Sequence, residues 1–195
     1  MPTDTRSYRS SDERRREIVD ATIRVLAEQG YAATSFARIC EAAGFSSTRM
    51  VSYHFREKAA LMQAVVERVV RDAAAVMVPA MEAEETWRGK LAAYVGSNLR
   101  FLAGHRLAAR AVIEVVANAP RTDNELREDT SALLLAVLLT HGQEAGEMGE
   151  FDPHVVARAV RATIDSFATT MPASPDATEA AIAEIIALFD RATAP

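Results

Sequence analysis

Residues 44–58 read Gly-Phe-Ser-Ser-Thr-Arg-Met-Val-Ser-Tyr-His-Phe-Arg-Glu-Lys, and the reading of this stretch decides the fold. Gly44 permits a sharp turn, Ser46 or Ser47 caps a short third helix, and a fourth helix starts near Glu57. A helix that reads the DNA major groove anchors its apolar side in a small core and offers short hydrogen-bonding side chains on the other. Here Met50 and Val51 are expected to face inward, while Ser47, Thr48, Arg49, Ser52 and Tyr53 project outward. Arg49 suits a bidentate contact to guanine, which discriminates between bases by about 1–3 kcal/mol. His54 and Lys58 flank this helix and suit phosphate contacts, which position a protein without specifying sequence; Arg38 and Ser46 are further DNA-binding candidates.

Upstream, Ser10 and Glu13 form a capping box, and Ile18, Ala21, Val25 and Leu26 recur at helical spacing on one apolar face. Gly30 is expected to stop helix 1 in a left-handed cap, with Tyr31 folding back over its end. Thr34 or Ser35 caps helix 2, whose free N–H groups and dipole favour a phosphate. Ile18, Leu26, Phe36, Ile39, Phe45, Met50 and Phe55 make the expected core of this small three-helix unit. Cys40 falls beside Ile39 and Ala43 in helical phase, the setting of a core residue rather than a redox sensor.

Downstream, helix 4 carries Leu61, Val65, Val66 and Val69 before Pro79. Further helices are expected over about 87–103, 105–118, 122–147, 153–170 and 176–192, the seventh opened by the capping box Thr122-Asp123-Asn124-Glu125. Asp152-Pro153 and Ser174-Pro175 each pair a capping residue with proline at the first helical position. The chain is therefore expected to be all-α, with about nine helices: a helix-turn-helix domain over 10–58 (the motif itself about 35–55) and a helical domain over 59–195.

Composition supports this reading. Apolar residues make up 49% of 195, with 8 Gly and 7 Pro, which favours helices over strands. The net charge of −5 alone argues against nucleic acid. Its distribution does not, since residues 1–60 carry 10 Lys+Arg against 8 Asp+Glu and the remainder 12 against 19. Affinity for phosphate follows the local field, screened over about 8–10 Å. One cysteine forms no intramolecular disulfide and no zinc site, and no apolar run reaches the ~20 residues of a membrane span; a cytoplasmic protein without metal or cofactor is expected. Enzyme chemistry lacks its motifs: there is no Gly-rich phosphate loop, no His-Glu-x-x-His and no Gly-x-Ser-x-Gly.

Residues 14–61 resemble the N-terminal domain of TetR (tetracycline-repressor) family regulators over about a quarter of the chain. The matching elements are Ile18, Ala21 and Leu26, then Gly30-Tyr31, Thr34-Ser35-Phe36, Ile39, Ala42-Ala43-Gly44, and Tyr53-His54-Phe55 with Lys58 and Leu61. The resemblance implies a homodimer, a palindromic operator, and an all-helical C-terminal domain that binds a small effector. It carries phosphate-contact roles onto Thr34, Tyr53, His54 and Lys58. The segment between Gly44 and Phe55 is one residue longer than the commonest family pattern, which shifts the base-reading positions by one.

In the C-terminal part, Val156, Val160 and Ile164 on helix 8 and Ile182, Ile185, Ile186 and Phe189 on helix 9 lie on apolar stripes. Pairing these helices across a two-fold axis gives a four-helix dimer interface. Trp87, Tyr94, Asn98, Phe101, His105, Glu114, Asn118, His141, Phe167 and Met171 are candidates to line an effector cavity, because polar groups on apolar faces need partners. Glu114 within Ala-Val-Ile-Glu-Val-Val is the leading pocket candidate; an ion pair with Arg110 on a solvated face is the other reading. The functional expectation is a ligand-released repressor. A non-catalytic helical dimerisation or protein-interaction module is the alternative, and it leaves residues 44–58 without a purpose.

Overall fold

A computed structural model of the chain describes residues 11–118 and 130–195. Among the described residues the regular elements are all helical: α1 (Ser11–Ala33), α2 (Phe36–Ala42), α3 (Arg49–His54), α4 (Lys58–Glu82), α5 (Trp87–Gly104), α6 (Arg106–Asn118), α7 (Thr130–Glu144), α8 (Pro153–Thr170) and α9 (Pro175–Ala192). None of them is long and apolar enough to cross a membrane. The capping boxes read at Ser10 and at Thr122–Glu125, and the first part of the helix expected from Thr122, fall outside the described residues.

The chain divides into two compact units. One comprises the chain up to Arg68 plus Ala111–Asn118; the other comprises Val69–Arg110 and the C-terminal remainder. The division thus falls inside α4 rather than at Lys58, and the last turns of α6 join the N-terminal unit.

Local signals set the helix ends. Ser174 Oγ accepts the Ala177 N–H at 3.2 Å, and Asp152 accepts those of His154 and Val155 at 2.8 and 3.2 Å. Thr86 caps α5 by accepting the Gly89 N–H, and the Glu147 carboxylate takes the N–H groups of Trp87 and Arg88 at 2.6 and 3.3 Å. The first N–H groups of a helix have no internal acceptor, and a negative charge there also meets the positive end of the helix dipole. Helix α4 continues through Pro79 to Glu82, beyond the end expected before that proline. Proline removes one N–H and crowds the preceding turn, but its own carbonyl still accepts the Ala83 N–H at 3.1 Å, so the ladder resumes.

Helix α1 breaks at Gly30, which adopts φ 80° and ψ 170°. This is not the left-handed cap expected from the sequence; it is an extended positive-φ conformation essentially confined to glycine. One further helical turn follows it.

The N-terminal unit closes around Ile18, Leu26, Ile39, Val51, Phe55, Leu61 and Val65, all essentially inaccessible, together with Ala111 and Val115 of α6. Fully burying each large aliphatic or aromatic side chain contributes about 1.5–3 kcal/mol. Phe36 and Phe45 pack at the edge of this core. Met50 does not: it is 38% exposed, because a helix of six residues turns only one stripe inward and Val51 occupies it.

The second unit has its own core, with Leu91, Val95 and Leu99 of α5, Leu135 and Leu139 of α7, Val160 and Ile164 of α8, and Ile182 of α9. This corrects the expected dimer face. Val160, Ile164, Ile182 and Phe189 are buried within the chain itself, and Val156, Ile185 and Ile186 pack half-buried against them. Each helix has one broad apolar stripe, and the stripe is consumed internally. The solvent faces carry Val155, Ala159, Ala162 and Ser166 on α8, and Ala180, Ala183 and Leu188 on α9.

Candidate nucleic-acid interface

Helix α2 starts at Ser35, whose Oγ accepts the Arg38 N–H at 3.3 Å, and it ends at the Ala42 carbonyl, which accepts Arg24 Nη2 at 3.1 Å. Gly44 then takes φ 69°, and Phe45 N–H returns to the Cys40 carbonyl at 2.9 Å. The Cys40 thiol also donates to the Phe45 carbonyl, which ties this buried cysteine into the turn as a structural residue. The N-cap of α3 is Thr48, with no side-chain cap bond, rather than Ser46 or Ser47 as expected; Ser47 Oγ sits one residue earlier and accepts the Arg49 N–H at 3.2 Å in the turn leading into the helix. Val51 and Phe55 seat α3 on the core.

The opposite side of α3 is open. Ser46, Ser47, Thr48, Arg49 and Ser52 are exposed, and Tyr53 is 81% exposed with its ring edge-on to His54 at 5.2 Å. Ser52 Oγ donates to the Arg49 carbonyl at 3.3 Å. Arg38 lies exposed on α2 beside Glu41 at 3.2 Å, an ion pair of the surface kind worth about 0–1 kcal/mol. Among the described residues no element of its unit covers this face, which offers guanidinium, hydroxyl and phenol groups, the chemistry that base edges and phosphates accept. Arg56, exposed in the link between α3 and α4, adds a cation that the sequence reading left out although it stands two residues from Lys58.

Two expected phosphate contacts are placed differently. Thr34 is 2% exposed, and its hydroxyl donates to the Gly30 carbonyl at 2.8 Å, so it ties the turn together from inside. Lys58 is half-buried; its Nζ donates to the Tyr31 carbonyl at 2.7 Å and lies 4.1 Å from the Tyr31 ring centroid. Burial pulls its pKa below the ordinary lysine value, while the carbonyl and the ring face favour the charged form.

Residues 18–65 match the family described as bacterial regulatory proteins, tetR family. The N-terminal unit therefore carries a tetR-family domain. The chain is 26% identical over 162 residues to the fatty acid metabolism regulator protein of Bacillus subtilis, covering 79% of this chain and 81% of that one. In fold it is similar to a tetR-family regulatory protein from Rhodococcus RHA1, with TM-score 0.78, 20% identity, and 93% and 97% of the two chains covered. It is also similar to AibR in complex with isovaleryl coenzyme A and operator DNA, with TM-score 0.75, 16% identity, and 90% and 97% covered. The family match spans α2, α3 and the adjoining parts of α1 and α4, the N-terminal domain of bacterial regulatory proteins of this family.

The residues singled out for an effector cavity are divided between the two compact units. Tyr94, Asn98, Phe101 and Phe167 are interior to the second unit, and Trp87 and Met171 pack against that core. Asn98 Nδ2 donates to the Tyr94 carbonyl at 2.8 Å, and Arg161 reaches the Tyr94 hydroxyl at 3.4 Å. His105 is exposed and stacks on Phe101 at 4.2 Å; His141 is exposed and tilts against Trp87 at 4.9 Å. Glu114 and Asn118 belong to the other unit. Glu114 Oε2 accepts the Tyr31 N–H at 2.9 Å, which is neither the pocket role nor the Arg110 pair read from sequence. Among the described residues no buried side-chain nitrogen or oxygen lacks a hydrogen-bond partner. These polar groups are thus satisfied within the protein and need no ligand to complete their hydrogen bonds.

Proposed function

We propose that this regulator binds a palindromic operator as a homodimer, represses from it, and is released by a small-molecule effector held in the second unit. The observation that carries the reading is α3, seated by Val51 and Phe55 and presenting Arg49, Ser52 and Tyr53 to solvent. A single six-residue reading helix makes few base contacts, and symmetry doubles them at half-sites about 34–36 Å apart. The dimer face fitting this structure is the solvent side of α8 and α9. Ala159, Ala162, Ala180 and Ala183 let helices approach closely, and Val155 and Leu188, 52% and 49% exposed, supply apolar area.

Helices α4 and α6 each contribute residues to both units, so a change in the second unit has two covalent routes to the first. An effector acts only if it binds the DNA-competent and released states unequally. AibR is similar in fold and holds isovaleryl coenzyme A, which makes acyl-coenzyme A thioesters the first class to screen.

The test is selection of bound duplexes from a random pool, followed by anisotropy titration of the enriched sequence. A palindrome bound with two protomers per duplex supports the proposal, and a thioester that raises Kd supports the release step. Enrichment of no sequence over the pool would end the groove assignment.

A further inference from the structure

The turn that breaks α1 is gripped from two sides at one residue. Tyr31 donates its N–H to Glu114 Oε2 at 2.9 Å and offers its carbonyl to Lys58 Nζ at 2.7 Å. Glu114 lies 83 positions away in sequence on α6, and Lys58 is the first residue of α4. All three belong to the same compact unit. Because Gly30 leaves the helical conformation, the Tyr31 N–H loses its place in the helical ladder and needs an acceptor elsewhere. Glu114 supplies a charged one, and hydrogen bonds to an ionised partner are about twice as strong as neutral ones. Thr34 completes the turn, its N–H reaching the Tyr31 carbonyl at 3.2 Å and its hydroxyl the Gly30 carbonyl at 2.8 Å.

Lys58 is held to this turn by both its ammonium and the Tyr31 ring, so the place of its charge depends on where Tyr31 sits. An ammonium has three donors. One is engaged by the Tyr31 carbonyl, and the others remain for a phosphate oxygen. We infer that Glu114 is a positioning residue for DNA binding: its carboxylate fixes Tyr31, and Tyr31 fixes the Lys58 ammonium. The inference rests on the reading of Lys58 as a phosphate contact. Glu114 itself touches no DNA.

The experiment titrates the full-length protein against its selected duplex by anisotropy at several salt concentrations. The variants are Lys58→Ala, Glu114→Ala, Glu114→Asp, Glu114→Gln and the Lys58→Ala/Glu114→Ala double variant. Lys58→Ala should weaken binding and reduce the salt slope by about 1. Glu114→Ala should weaken binding by no more than Lys58→Ala does, with a fall in slope of up to about 1 and faster hydrogen exchange at the Tyr31 amide. Glu114→Asp, one methylene too short to reach Tyr31, should behave the same way and stands in if the alanine variant fails to fold. Glu114→Gln keeps an acceptor oxygen at the same reach and should retain most of the affinity. In the Lys58→Ala background, Glu114→Ala should add nothing. Additive losses, or accelerated Tyr31 exchange with wild-type affinity and slope, would overturn the inference while leaving Lys58 a phosphate contact. An unchanged affinity and slope in Lys58→Ala would overturn both.

Discussion

Replacing Gly30 by alanine probes the geometry that breaks α1. The residue sits at φ 80° and ψ 170°, and a Cβ added there would lie 3.3 Å from Glu114 Oε2. Holding a non-glycine residue in this region costs about 1–3 kcal/mol, and the close carboxylate adds to the strain. Alanine returns about 0.4–1 kcal/mol by narrowing the unfolded ensemble, which leaves a net destabilisation of about 1–2 kcal/mol. Gly44→Ala is the control: its φ is 69°, yet nothing stands within 4 Å of the added Cβ. Its cost is conformational alone, about 1 kcal/mol before the same entropic return. Trp87, the single tryptophan, reports on the other unit, so the assay is native-state hydrogen exchange at the amides of Ile18, Val25 and Leu26. These residues lie at 0–1% exposure in the N-terminal unit, where exchange reports the opening free energy of that unit. The expected order of protection is wild type, then Gly44→Ala, then Gly30→Ala. A Gly30→Ala protein as protected as wild type, with Tyr31 still bonded to Glu114, would refute the assigned backbone conformation.

Four further outcomes follow from the same geometry. Thr34→Val removes a buried hydroxyl bonded to Gly30; it should lower stability by about 1 kcal/mol and leave the salt slope of DNA binding unchanged, whereas a phosphate contact would show in that slope. Arg49→Ala should reduce discrimination at one base pair by about 1–3 kcal/mol, while Arg56→Ala should weaken all duplexes alike, and selection repeated with each variant separates the two. Ala162→Glu, on the solvent face of α8, should yield a folded monomer in sedimentation; Val160→Glu, at 0% exposure, should instead unfold the second unit by circular dichroism. Because burial lowers the folded-state pKa of Lys58, the unfolded state binds more protons in the alkaline window just below the ordinary lysine value of about 10.4. The corresponding stability is present above the unfolded pKa and lost as pH falls through the folded one, so urea titrations across this window should show a rise with pH that Lys58→Met flattens.

The helix-turn-helix was legible because its signals are local. Ser35, Gly44 and the paired Asp152-Pro153 and Ser174-Pro175 act within three or four residues of themselves, and each does in the structure what its chemistry indicates. The apolar periodicities were legible as well, but periodicity says only that a stripe is buried, never against what. For that reason the stripes of α8 and α9 were read as an interface between chains when they form the interior of one. Glu114 was obscure for a related reason: the acceptor role follows from a contact across 83 positions, and nothing in Ala-Val-Ile-Glu-Val-Val distinguishes that use from a surface ion pair. Thr34 looked like a cap because threonine next to a helix start often is one. Only the neighbouring Gly30 carbonyl, brought close by the broken helix, turns it inward.

The interior polar groups share one habit. Ser97, Asn98, Thr178 and Thr193 each donate to the carbonyl four residues earlier in their own helix. Such bonds travel with the helix that makes them and give its neighbours no directional hold. What joins these helices in their shared interior is chiefly dispersion and water exclusion, with a few directional ties such as Arg161 to the Tyr94 hydroxyl and Arg88 to Asp190. Substitutions among the apolar residues can therefore reshape that interior while these four side chains keep their acceptors.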